Sequence, residues 1–230
     1  MSEWLLLGEL MQAAQRRSSR EAAAFAAAIL RNARTPAIRA IAAAYLEGAR
    51  AAFRAHAAAL RLPRAVVENL TPPVRRALTD EADRQGQASL AGVLTIIGGS
   101  AEVTRAQIEQ RARIAVREAV WSGQDQAGRE AATIAKAEFK TWVRSWPRTK
   151  ERDHHDMLED VTIPSEDKFT LPGGPNAGAQ VDGPRDWLSV DDPAEWMNCG
   201  HALRFSQRAT GEDLATTRRL GRTVYQPPTP

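Results

Sequence analysis

Cysteine is almost missing from this chain of 230 residues: Cys199 stands alone, so no disulfide can close within one copy. The fold therefore does not depend on oxidation, which suits synthesis in a cytoplasm. Long apolar runs are missing too, and none approaches the roughly 20 residues that span a bilayer. The first ten residues carry Glu3 and Glu9 and no basic stretch, so a secretory signal is not expected. Several catalytic signatures are absent. There is no G-x-S-x-G elbow, no phosphate-cradling glycine loop ending in Lys-Ser/Thr, and no H-E-x-x-H zinc pair. No internal repeat is found.

What remains is ordinary for a globular protein. Apolar residues make up 43% and charged residues 26%, enough for one domain or two small ones. The net charge of +3 conceals an asymmetry. Residues 1–140 hold 20 basic against 14 acidic side chains, residues 141–205 hold 7 against 12, and residues 206–230 hold 4 against 2. A mildly basic body thus carries an acidic module. The basic excess permits nonspecific, salt-sensitive contact with DNA, but its interleaving with acids reads more simply as solvated helix faces.

The body is rich in Ala, Leu and Arg. Ala22, Phe25, Ala26, Ile29 and Ala33 share one side at helical spacing, with Ser18 or Ser19 as a cap and Pro36 restarting the chain. Ile38, Ile41, Tyr45, Ala49 and Phe53 mark a second helix to about Leu60. Pro63 and Thr71-Pro72-Pro73 punctuate the next stretch, with short helices on either side. After the break at Gly98-Gly99-Ser100, a long helix starts near Ala101 and bends at Ser122-Gly123. Alanine faces allow close packing but bury little area each. His56, inside an alanine-rich helix, reads as a surface or interface residue. Between Phe139 and Trp146 the pattern suits a helix and equally a strand rich in aromatic and β-branched residues. Beyond Pro147 glycine and proline multiply, and Val161–Ile163 reads as a short strand. The expectation is an α+β fold: a mainly helical N-terminal body with a small loop-rich α+β C-terminal module. Its regions are an Ala-rich helical stretch (1–100), a long helix leading into the module (101–146), the module (147–205) and an extended tail (206–230).

The chemistry concentrates between Trp142 and His201. Three of the four histidines (His154, His155, His201), Cys199 and four of the six tryptophans lie there. Cys199 and His201 form a C-x-H pair, which on a strand would face one way. A histidine some 45 residues earlier, His155 or alternatively His154, would close a site across the Gly/Pro-rich loop. Against a metal, zinc motifs usually bring two spaced pairs and only one is clear here. A buried cysteine and hydrogen-bonded histidines among tryptophans account for the same residues. Arg152 and Glu159 are placed to pair. Asp153, Asp156, Asp160, Asp191 and Asp192 read as loop or cap residues rather than Mg²⁺ ligands.

Read in order, these pieces resemble the C-terminal domain of the phage head-morphogenesis proteins, the Mu F-like minor head proteins. Trp142 leads the segment, and Lys150 and Arg152 stand at the two basic positions. His155 matches the histidine, and Leu158-Glu159-Asp160 matches L-D/N-G. Phe169 follows Glu166-Asp167, Pro172 to Gly183 supply the Gly/Pro passage, and Asp192-Pro193 precede Asn198-Cys199-Gly200-His201. The likeness covers roughly residues 101–205. It departs at Asp160, where the family has a turn glycine, and at His201, where the family has a final cysteine. No acid precedes the basic pair. The resemblance implies a low-copy minor capsid protein of the virion, acting in viral capsid assembly rather than catalysis. Its partners would be the portal protein and other head proteins, with packaged DNA as a further contact and no membrane. It would sit in the capsid interior or near the portal, and in the host cytoplasm during assembly. A structural zinc on His155, Cys199 and His201 is the one cofactor the residues suggest. The alternative from another class is a metal-dependent hydrolase or nuclease, or a toxin-like effector, using the His/Cys/Asp cluster.

Overall fold

The structure is a computed structural model that describes residues 18–99, 103–144, 153–184, 186, 189–190 and 200–207. Lys150, Arg152, Asp191, Asp192, Asn198, Cys199 and the expected tail from 208 onward lie outside the described residues. The architecture is mainly helical α+β, with a small antiparallel sheet in the C-terminal region. The chain divides into two compact units, residues 1–130 and 131–230. The division falls inside the longest helix rather than at residue 100 or 146. No helix among the described residues is long and apolar enough to cross a membrane.

The first unit is built from helices. Residues 18–30 form α1, with Phe25, Ala22 and Ala26 buried. Ser18 and Ser19 already lie within it, so neither is the expected cap. Next come α2 (Arg34–Ala59), the short α3 (Arg64–Glu68) and α4 (Pro72–Gly98). The proline pair at 72–73 therefore opens a 27-residue helix, not a short one, because proline suits the first helical turn, where backbone N–H groups lack partners anyway. The long α5 (Arg105–Ala135) begins later than Ala101. Thr104 caps it: its Oγ1 accepts from Gln107 N at 3.3 Å, while its own N–H donates to Gln107 Oε1 at 2.8 Å. This reciprocal capping box satisfies two otherwise unpaired donors.

α5 runs unbroken through Ser122-Gly123, so the glycine does not interrupt the helix. The glycine serves packing instead. A Cβ on Gly123 would collide with the Tyr45 carbonyl oxygen, and one on Gly48 would collide with that of Val120. Each helix thus offers a glycine where the other's backbone arrives. Alanines complete the crossing: Ala49, Ala52, Ala119 and Ala127 are all buried. His56 is not at the surface. It is 9% exposed, and its ring lies against Gly128, where a Cβ would stand 3.0 Å from Nε2.

In the second unit the ambiguous stretch is a strand, β1 (Phe139–Arg144). It is the centre of a three-stranded antiparallel sheet, flanked by β2 (Thr162–Pro164) and β5 (His201–Ser206). A four-residue helix, α6 (Asp153–Asp156), precedes β2. β3 (Phe169–Thr170) and β4 (Gln180–Val181) form a hairpin whose loop is the Gly/Pro passage. Ser165 ties β2 back to the end of α5, its Oγ donating to Ala137 O at 2.6 Å. A buried hydroxyl pair, Thr141 and Thr162 at 2.9 Å, locks β1 to β2.

Candidate functional site

Alternation along β1 decides what meets in the second unit. Lys140, Trp142 and Arg144 share one strand face, since side chains two apart point the same way. β5 pairs so that Arg144 stands opposite His201, Trp142 opposite Leu203 and Lys140 opposite Phe205. On β5 His201, Leu203 and Phe205 are the buried positions, so the two strands present one continuous face.

Trp142, 0% exposed, is the centre of that face. Around it lie His155 (ring centroids 5.6 Å apart, edge-on), Phe169 (5.2 Å, edge-on) and His201 (6.0 Å, tilted). Such edge-on contacts exploit the ring quadrupole and add to plain burial. Leu158, Val161, Leu171 and Val181 fill the remaining space. The backbone fastens the same region: Trp142 N–H donates to Val161 O at 3.0 Å, and Asp160 N–H donates to Trp142 O at 2.7 Å. Asp160 itself is left-handed, with φ of 62°. That is the geometry glycine adopts most cheaply, and Asp is among the few side chains that tolerate it.

His154 meets His155 edge-on, ring centroids 4.7 Å apart, and also contacts the hairpin loop. Its ring sits on Gly174, where a Cβ would come within 2.8 Å of it, and Gly174 has φ of 77°. Gly173-Gly174 is thus a turn, as its sequence suggested, and His154 packs on it. Lys140 is 1% exposed, its Nζ 3.6 Å from Asp182 Oδ1 and 5.6 Å from the Phe169 ring centroid.

The charged part of the site lies at the Arg144 end. Arg144 Nε donates to both Glu159 oxygens at 3.1 Å, and Nη2 reaches Glu159 Oε2 at 2.6 Å and Asp156 Oδ1 at 3.3 Å. Glu159 therefore pairs with Arg144, while the anticipated partner Arg152 is outside the described residues. Hydrogen bonding to Glu159 pushes the Arg144 pKa further up, against a smaller pull downward from desolvation. His201 Nε2 lies 3.6 Å from Asp156 Oδ1.

Could this arrangement hold a metal? Among the described residues, Asp156, Glu159 and His201 bring ligand atoms within 4.8 Å of one another. His155 is not in that group; it packs against Trp142, its ring centroid 6.2 Å from that of His201. A structural zinc prefers four nitrogen or sulfur ligands. The set here is two carboxylates and one imidazole, and the carboxylates already share a guanidinium. Two carboxylates against one arginine leave one negative charge beside His201. A divalent ion would have to settle beside Arg144. The described residues thus build an ion-pair knot of Arg144 on β1 with Asp156 of α6 and Glu159, beside which His201 lies, more readily than a zinc centre, and Cys199 lies outside them.

Sequence reasoning missed Arg144 and Lys140, and read Asp156 only as a loop or cap residue. The signal was present: a tryptophan flanked two residues on either side by Lys and Arg, on an alternating strand. Comparison with family models, with curated proteins and with solved structures returned no match.

Proposed function

We propose that this chain is a minor head protein of a phage or prophage, a binding component of head assembly rather than a catalyst. One observation carries the reading. Residues that the Mu F-like pattern spreads over some 60 positions, Trp142, His155, Leu158, Phe169 and His201, converge in one buried cluster, and Asp160 takes the left-handed turn where that family has glycine. The second unit is then the recognition or anchoring module. The helical unit docks on portal or other head proteins, and packaged DNA is a further contact.

Mass spectrometry of purified heads, produced with the neighbouring genes, tests this. The chain should be present at low copy and should co-purify with the portal protein; heads that assemble normally and never contain it would refute the reading. The rival is a metal-dependent hydrolase or nuclease, favoured by the Asp156, Glu159 and His201 grouping. Incubation with DNA and Mg²⁺, Mn²⁺ or Zn²⁺ separates the two. Cleavage that disappears in a folded His201→Gln variant would favour the enzyme.

A further inference from the structure

A different chemistry shows in the helical unit, where α2 meets the α3–α4 corner. Arg50 and Arg54 stand one turn apart on α2, so their side chains leave the same face. The short α3 and the extended Asn69 turn the chain so that Arg75, in the first turn of α4, reaches the same hollow. The cleft has a volume of about 310 Å³, and Phe53 and Val67 line it together with the three arginines.

The charge there is one-sided. Glu68 borders the cleft, but its carboxylate is held by Arg64. Arg75 donates to the Leu70 carbonyl at 3.5 Å, a neutral acceptor. None of Arg50, Arg54 and Arg75 forms an ion pair with another described residue. Three arginines thus line one concave surface against a single acid, Glu68, which is already paired with Arg64, although like charges brought together repel. A concave wall also concentrates the field that an incoming anion meets. Guanidinium is planar and forked, matching phosphate oxygens two at a time. The exposed Asn69 adds an uncharged polar group at the rim.

We propose that this cleft is a phosphate-binding site for the backbone of double-stranded nucleic acid, with Arg50, Arg54 and Arg75 each contacting a phosphodiester. A polyanion is preferred to a free phosphate for two reasons. The arginines are all exposed and come from two helices, so they suit an extended ligand lying across the cleft. The surrounding body, residues 1–140, carries 20 basic against 14 acidic side chains, which attracts a long polyanion from a distance. Contacts of this kind position a duplex without reading its sequence. The inference deepens the head-assembly reading, whose DNA contact it assigns to a named cleft, and rests on that reading only for which DNA is met.

Anisotropy of a fluorescent DNA duplex of arbitrary sequence, titrated with the full chain between about 50 and 200 mM salt, tests the site. Binding should weaken with salt. In Arg50→Gln/Arg54→Gln/Arg75→Gln the slope of log K against log salt should flatten by about 0.9 for each phosphate no longer neutralised, or roughly 2.7 in all. The matching lysine variant should keep most of the slope. Arg111→Gln/Arg113→Gln, at exposed positions on α5, should shift it by less than about 1. No DNA binding by the wild type, an unchanged slope in the glutamine variant, or an equal loss in the α5 variant would overturn the proposal. Calorimetry with inorganic phosphate is the second arm: phosphate bound by the cleft while the duplex is ignored would overturn the nucleic-acid assignment. Presence in heads without DNA binding would sink this inference alone, and DNA binding by a chain never found in heads would sink only the other.

Discussion

Acidification should weaken the helical unit through His56. The side chain is buried on α2 against the Gly128 backbone of α5. Burial disfavours the charged imidazolium and lowers the pKa from 6.5 to about 4, with Asp125 pulling weakly the other way. In the unfolded chain the same residue returns to an ordinary value near 6.5. The sign depends on which state binds the proton first. Above about pH 6.5 His56 is neutral in both states and its contribution to stability is complete. As pH falls below 6.5 the unfolded state gains a proton that the folded state refuses, so stability drops, and the loss levels off below about pH 4. A fall from 6.5 to about 4, at 1.36 kcal/mol for each tenfold change in proton affinity, comes to roughly 3 kcal/mol at the acid limit. Carboxylates titrate in part of this window, so the comparison needs His56→Gln beside the wild type. Native-state hydrogen exchange of α2 amides at pH 7.5, 5.5 and 4.5 reads the opening free energy of this unit. The wild type should lose about 2–3 kcal/mol more than the variant between the extremes. Parallel pH profiles, or an NMR titration placing His56 at 6.5 or higher, would refute the reasoning.

Two glycine substitutions should differ in sign. Gly123→Ala forces a methyl against the Tyr45 carbonyl and should cost at least about 2 kcal/mol in urea unfolding, whereas Gly92→Ala, exposed on α4 with nothing within 4 Å of its Cβ, should gain about 0.5–1 kcal/mol. Trp142→Ala empties the centre of the second unit and should cost about 3–5 kcal/mol, visible as faster proteolysis within residues 153–184. Arg144→Gln breaks a partly exposed ion-pair knot and should cost only about 1 kcal/mol, a loss that shrinks in high salt. A salt-independent loss at Arg144 would mean that packing, not charge, is its role.

The helices themselves were legible, because Phe25, Ile41, Tyr45, Ala49 and Phe53 recur at helical spacing and are indeed buried. The end of α2 near Leu60 was legible too, but the residues that form the helix ends were not. α1, α2 and α5 finish on left-handed Asn32, Arg61 and Lys136, with the next residue's N–H reaching back five positions, as in Ala33 to Ala28 O at 2.8 Å. Glycine would have announced such ends; these residues do not. His56 was misplaced for a related reason. Its neighbours around the helix are mostly alanines, so little contrast of apolar and polar residues marks which face is inward. In the second unit the residue types of the cluster were readable, but Arg144 as a partner of Glu159 was not. Arg152 is near Glu159 along the chain, whereas Arg144 reaches it only once β1 has been set against its neighbours.

The reciprocal glycine crossing of α2 and α5 also has a calorimetric consequence. Where backbone meets backbone and the buried side chains are largely alanines, each ordered residue removes little apolar surface from water. The heat-capacity increment of unfolding scales with that surface. The helical unit should therefore show a smaller increment, and a shallower dependence on urea, than its length would suggest. Its stability curve would be flat: modest at its maximum, yet slow to decline on cooling.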